Sequence, residues 1–355
     1  MRIGILGPIA TDSVAHLLPT LPPGTPRGPS SAPMLGSLIT ALIARGHEVV
    51  AFTLVYAETL AQPTLRFGHG PFTLYLCQGR PHSLRPSHGH VGRAVDAFRI
   101  ERERLVDAMR EEALDVVHAH WFYEYAAAAL DQSRVPSVVT GHDDPWRVLR
   151  HMPGLYRLRR FLLARRVMRE ADVLTAVSPS LAHRVAQFAG RPVEAIPNPL
   201  PAVLLGAPTA VAATPPGPRR VGVVLNGWSG LKNGRGALRA FRLLRQRRQD
   251  VELELYGTDF GRGGPAQAWA RLHDCDDGVR FVGELPQQRL LRRMARLDAL
   301  LHPSLEESFG LVLAEAMALG VPVLAGRHSG AVPWLLQHGH CGLLVDVTDA
   351  RAIAD

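Results

Sequence analysis

The chain predicts an α/β protein built from two Rossmann-like, doubly wound parallel-sheet domains that face a cleft. Three observations carry this. Its 355 residues are enough for two domains, at the usual size of about 100–200 residues each. Short apolar runs alternate with helix-periodic stretches through both halves, the pattern of parallel strands covered on both faces. The alternation breaks once, at the Pro- and Ala-rich segment 200–219, which reads as an interdomain linker.

The elements follow in order. In the N-terminal domain, 1–199, strands are expected at 2–9, 47–54, 72–77, 115–120, 136–141, 171–177 and 193–197. Helices are expected between most of them, at 34–45, 94–113, 122–131, 155–169 and 179–189. In the C-terminal domain, 220–355, strands are expected at 220–226, 251–256, 279–284, 299–303, 322–326 and 343–347. Its helices are expected at 234–248, 265–273, 286–297, 308–319 and 331–337, with Ser308 as an N-cap. The segment Thr348–Asp355 opens a further helix and stops after one turn, so a terminal helix cut short is expected. Ligands in such sheets bind beyond the carboxyl ends of the strands.

Composition narrows the function classes. Hydrophobic residues are 46% and charged residues 20%, a globular balance. No apolar run is long enough to span a bilayer, and Met1-Arg2 leads directly into a first strand rather than a leader. Three scattered cysteines without a CxxC fit a reducing cytoplasm and supply no metal framework. The net charge is +8, yet of the 40 basic residues only Lys232 is lysine. Asparagine occurs only at Asn198, Asn226 and Asn233. Both residues have AT-rich codons, so a GC-rich genome explains much of the basicity, which is weak evidence for a nucleic-acid partner. Three of these four residues nevertheless fall within 226–233.

The segment His302-Pro303-Ser304-Leu305-Glu306-Glu307-Ser308-Phe309-Gly310-Leu311 runs on to Glu315 and follows a strand into a helix. Two carboxylates eight positions apart would lie roughly 12 Å from each other along a helix. Between them lies a helix N-terminus, where N–H groups bind anions. Sugar hydroxyls, a diphosphate and ribose hydroxyls would match that order of groups. Read as residues alone, the two glutamates serve equally well as ordinary helix-end and helix-surface residues.

This segment resembles the E-x7-E signature of retaining glycosyltransferases of family 4, which have the GT-B fold. Glu307, Ser308-Phe309-Gly310, Glu315 and Ala316-Met317-Ala318 carry the resemblance, which continues through Gly320–Val323 and Ser329–Pro333 to Gly342–Val345. It implies that Glu307 contacts the donor sugar and Glu315 the ribose, with Ser308, Phe309, Gly310 and Leu311 beside them. The loop Val224–Gly234 contains Asn226, Gly227 and Lys232 and stands where the family places its diphosphate loop. Lys232 matches the family lysine, but Trp228 replaces the usual arginine, and the loop is one residue shorter. Arg235, or backbone N–H groups with Asn226, would have to substitute. Of the family's Gly-Gly pair after the first strand only Gly36 matches. The Pro-rich stretch 19–33 before it reads as a loop over the cleft. The resemblance also places His120 or His142 beside donor sugar or acceptor, with His142 favoured. Strand alternation assigns His118 to the core.

The expected reaction is therefore sugar transfer from a UDP-, GDP- or ADP-linked donor to an acceptor hydroxyl, with retention. The acceptor is a glycan, a lipid-linked group or a small molecule. Glu307, His142 and Lys232 are the expected catalytic residues, and no cofactor or metal is expected. Asp274-Cys275-Asp276 reads as a solvated turn. Two alternatives share the fold: a nucleotide-sugar epimerase and a degenerate nucleotide-sugar-binding protein. From Arg147 to Arg169 eight arginines and no acid interleave with leucines and other apolar residues. This stretch reads either as a contact with the inner face of a membrane or as a domain helix with a solvated arginine face. No nucleic-acid partner is expected.

Overall fold

The computed structural model describes the chain except Thr20, Ser30, Ser31, Glu58, His88, Ser133 and residues 206–216. Most of the expected linker therefore lies outside the described residues. Contacts divide the chain into Met1–Pro199 and Leu200–Asp355.

The first unit holds eight strands: β1 (Arg2–Leu6), β2 (Glu48–Val55), β3 (Thr64–His69), β4 (Phe72–Gln78), β5 (Val116–His120), β6 (Ser137–Gly141), β7 (Val173–Ala176) and β8 (Glu194–Ala195). They form one sheet in the order β3-β4-β2-β1-β5-β6-β7-β8. All pairings are parallel except β3 with β4. The central strands are nearly continuous in Val, Ile, Leu and Ala and are buried, as a sheet covered on both faces requires.

The second unit holds β9 (Arg219–Val224), β10 (Val251–Tyr256), β11 (Val279–Gly283), β12 (Ala299–His302), β13 (Val323–Gly326) and β14 (Leu343–Val345). Their order is β11-β10-β9-β12-β13-β14, all parallel. Two apolar clusters fill the unit, one around Leu300, Leu313 and Val323 and the other around Leu253, Phe260 and Phe281. Leu204, from the short helix Ala202–Leu205, joins the first of these. In each sheet the strand order reverses once, between β1 and β5 and between β9 and β12. Loops leaving strand ends at such a reversal diverge and open a crevice.

The expected fold class is thus found in both units, with local differences. Strand β3 was not expected: it is an antiparallel edge strand, partly exposed, followed by the Gly70 turn. The helix expected over 94–113 spans only Arg99–Arg110, because Ala97 and Phe98 take left-handed backbone angles before it. The helix expected from Ser308 begins at Leu311.

Candidate active site

The loops that leave β9 and β12 flank the reversal in the second sheet, and they are tied together. Leu305 N–H donates to the Leu231 carbonyl at 2.9 Å. The side-chain amide of Asn233 donates to the carbonyls of Pro303 at 3.2 Å and Val347 at 2.7 Å. Asn233 also has φ +52, a left-handed angle that asparagine tolerates better than most residues. From the other side, Ser329 Oγ donates to the Ser304 carbonyl at 2.6 Å, and Ala331 N–H to the Glu307 carbonyl at 2.9 Å. Gly330 lies against this turn with φ +60, and a Cβ there would stand 2.3 Å from the Glu307 carbonyl oxygen. Only glycine fits that position.

This frame brings Lys232 and Glu307 together. Lys232 Nζ donates to Glu307 Oε1 at 2.7 Å. His302, the last residue of β12, places Nε2 3.0 Å from the same oxygen, off the line of a well-formed hydrogen bond. Burial alone would favour the neutral acid at Glu307. The Lys232 ammonium, with His302 beside it, more than reverses this and holds the carboxyl well below the usual carboxylate range. Both contacts fall on Oε1.

The helix Leu311–Ala318 starts three residues after Ser308. Its N-cap is Gly310, at φ +92 with no side-chain cap, so Ser308 is not the cap expected. The side chain of Phe309 is buried and packs 6.3 Å from Trp334 between ring centroids. Glu315 lies in the second turn of the helix, buried, and accepts from Gln287 Nε2 at 3.0 Å. Burial pushes its carboxyl up to about 7, against the smaller opposing effect of Gln287. Glu307 and Glu315 therefore sit in opposite electrostatic surroundings: one held ionised by a cation, the other pushed by burial toward its neutral form.

Asn226 is exposed just beyond β9, and Gly227, at φ +87, donates its N–H to Thr258 at 3.2 Å. Trp228 is packed rather than open, with its ring centroid 5.6 Å from Phe260 and 5.9 Å from Trp269. The Arg235 guanidinium lies over both tryptophans, at 5.8 and 5.9 Å. Arg235 is thus engaged on an aromatic pair. Asp274 and Asp276 are exposed in the turn after the helix Pro265–Leu272, as a solvated turn requires. No group of three or more His, Cys, Asp or Glu that could hold a metal ion occurs among the described residues.

In the first unit, β5 and β6 carry the histidines. His120 Nδ1 and His142 Nε2 are 2.9 Å apart, so one donates to the other. The His118 ring lies 4.1 Å from that of His120, and His118 Nε2 is 2.7 Å from Thr140 Oγ1. Residues two apart on a strand share a face, so strand alternation does not separate His118 from His120: both side chains lie on one side of the sheet. Burial pushes His118 down to about 4 and His142 down to about 3, and His120 also well below its usual value. Trp121, at φ +66, stacks on His142 at 4.3 Å. Gly36 lies in the helix Pro33–Ala44, where a Cβ would come within 2.7 Å of the Ser13 carbonyl oxygen. Its place is explained by this close approach of the helix to the turn at Ser13.

Comparison with known proteins places this arrangement. A family model described as Glycosyl transferases group 1 matches residues 220–355, and one described as Glycosyltransferase Family 4 matches residues 34–202.

The chain belongs to the family 4, group 1 glycosyltransferases.

Among relatives in this family, the N-acetyl-alpha-D-glucosaminyl L-malate synthase of Bacillus anthracis is 28% identical over 71% of this chain and 66% of its own length. A D-inositol 3-phosphate glycosyltransferase of a Nocardioides species is 46% identical over 22% of this chain, and the match spans 17% of that protein. The aligned stretches thus cover less than two thirds of either relative. Among solved structures, sucrose-phosphate synthase from Thermosynechococcus elongatus superposes with a TM-score of 0.70 at 17% identity, covering 99% of this chain and 88% of that one. The Anabaena protein HepE, in complex with UDP and glucose, gives 0.65 at 20% identity, covering 100% and 88%. These likenesses establish the fold, GT-B.

Against the family pattern, the structure gives roles to three side chains to which the sequence alone assigns none. They are His302, Gln287 and, as the tie between loops, Asn233. A polar residue ending the apolar run Ala299-Leu300-Leu301 was the available signal for His302. Gln287 leaves no local signal, since its partner lies 28 positions away.

Proposed function

We propose that the protein is a retaining glycosyltransferase that moves a sugar from a nucleoside-diphosphate donor to an acceptor hydroxyl. The observation that carries this is the Lys232–Glu307 pair beside the N-terminus of the Leu311–Ala318 helix, at the strand-order reversal of the second sheet. In the proposed reaction the donor diphosphate lies over that helix end. The first N–H groups of the helix and the Lys232 ammonium stabilise the negative charge that builds on the leaving diphosphate. Such preorganised groups supply the largest electrostatic part of catalysis in many enzymes. Glu307 accepts hydrogen bonds from the sugar hydroxyls through its second oxygen, and Glu315 accepts from the ribose hydroxyls. His142, held by His120, serves the acceptor on the first unit.

The resemblance to a structure holding UDP and glucose makes UDP the first nucleotide to test. The B. anthracis relative, named for a product joining a glucosaminyl group to malate, makes small hydroxy acids the first acceptors. The proposed chemistry needs only the donor and the acceptor, uses no cofactor and no metal, and is placed in the cytoplasm. The experiment is incubation of the purified chain with UDP-, GDP- and ADP-linked sugars and an acceptor panel. It follows nucleoside diphosphate release and reads the product's anomeric configuration by NMR. Release of nucleotide with a retained anomer supports the proposal. An epimerised donor without an acceptor product, or no release with any donor, contradicts it.

A further inference from the structure

The helix Leu155–Glu170 in the first unit turns its two sides to different surroundings. Phe161, Leu163, Ala164, Val167 and Met168 are buried. Core helices of this kind normally present polar residues outward. Here the outward positions 155, 158/159, 162, 165/166 and 169 recur at three- and four-residue spacing, the repeat of one helical face. They hold leucine and arginine only. Leu155, Leu158 and Leu162 are 54%, 43% and 49% exposed, and Trp146 from the preceding helix is 47% exposed. Trp146 packs 5.5 Å from Phe161, and the Arg165 guanidinium lies 6.0 Å over the same ring. The three leucines and the tryptophan are thus exposed apolar side chains on two consecutive helices that pack on each other through Phe161. Single exposed leucines are ordinary, but a ridge of three beside a tryptophan is not.

The charges decide what covers the ridge. Arg166 is matched by Glu170 at 2.9 Å and Asp131 at 3.2 Å. Arg159 and Arg169 form no ion pair among the described residues, and both are exposed. A second copy of this face would set guanidinium against guanidinium. A matching surface must instead take leucine and tryptophan side chains into an apolar layer and present negative charge beside it over roughly 24 Å, the length of sixteen helical residues. A bilayer with anionic headgroups does both, and arginine stems can lie along its apolar boundary while their heads stay at the phosphates.

We infer that the outward face of the helix Leu155–Glu170, with Trp146, is a docking surface for an anionic membrane. The inference goes beyond the transfer reaction and does not depend on it.

The test is co-sedimentation of the full chain with vesicles of phosphatidylglycerol and phosphatidylcholine, against vesicles of phosphatidylcholine alone. Binding to the anionic vesicles is expected, weakening as salt is raised. In the Leu158→Gln/Leu162→Gln variant, partitioning falls roughly tenfold through lost apolar burial. In the Arg159→Glu/Arg169→Glu variant it falls by at least about tenfold, since each arginine near such a surface contributes about fivefold. The second variant alters exposed charges only, so its melting temperature stays within a few degrees of the parent and its result stands even if the first misfolds. Equal recovery in the supernatant with both vesicle types would overturn the inference. So would an arginine variant that sediments like the parent, or a dimer in light scattering that the leucine variant dissolves.

Discussion

Lys232 Nζ lies 2.7 Å from Glu307 Oε1, and the two side chains come from loops that leave adjacent strands of one sheet. Each is partly shielded from water, with side-chain exposures of 28% and 15%. The pair therefore ranks between a surface ion pair and a buried one. Removing one partner, as Lys232→Met or Glu307→Gln, is expected to cost about 1–3 kcal/mol. The double variant should cost less than the sum, as a urea-denaturation double-mutant cycle will measure. The carboxyl of Glu307 is depressed in the folded state, so its contribution is present above the unfolded carboxylate range and is lost as pH falls below it.

Glu315 carries the opposite sign. Its folded value, pushed up to about 7, lies above the unfolded one. The folded state thus binds the extra proton between about pH 4.3 and 7, and stability falls as pH rises through that window. Glu315→Gln should therefore gain on the parent on going from pH 5 to pH 8, by up to ~3 kcal/mol, read from melting curves at the two pH values.

The same group predicts a pH-dependent affinity. In the proposed reaction Glu315 takes the ribose hydroxyls, which donate best to an ionised carboxylate, so donor binding near neutral pH should release a proton and tighten as pH rises from 6 to 8. Calorimetry with UDP-glucose in buffers of different ionisation enthalpy measures the release. Glu315→Gln should abolish the pH dependence and weaken binding about tenfold, the size of one charge-assisted hydrogen bond. Proton uptake, or an unchanged pH profile in the variant, would refute the assignment.

The histidine cluster makes the first unit acid-sensitive. Burial holds His118 at about 4 and His142 at about 3, with His120 also low. The unfolded chain binds more protons below about pH 6.5, so the stabilisation is present above that pH and is lost as pH falls toward 4. His142→Phe should flatten this acid-side loss while lowering transfer activity. A profile as steep as the parent's would show that the cluster does not govern it.

How much of this was legible beforehand depended on distance along the chain. The segment from His302 to Glu315 could be read because its strand, turn and helix are contiguous, and its two glutamates fall at a fixed spacing. The helix start differs because the chain reaches helical angles only after Gly310, which is left-handed, so the helix begins at Leu311 with no side-chain cap. The His120–His142 contact was not legible, because which strand neighbours β5 is settled by sheet order and not by local pattern. Of the two substitutes for the family arginine at Trp228, Arg235 and backbone N–H groups with Asn226, the structure engages Arg235 elsewhere. That side chain instead covers the tryptophan pair, one of which, Trp269, lies on a separate helix. Trp228→Ala should accordingly behave as a core truncation, costing about 2–4 kcal/mol in chemical denaturation, whereas Arg235→Ala should cost about 1 kcal/mol or less.

The most direct measurement is the turnover of Lys232→Ala with saturating donor and acceptor, beside the parent enzyme. A kcat lower by about 10²–10³-fold is expected, in a protein that remains folded by circular dichroism. A folded variant that releases nucleotide at the parental rate would contradict it.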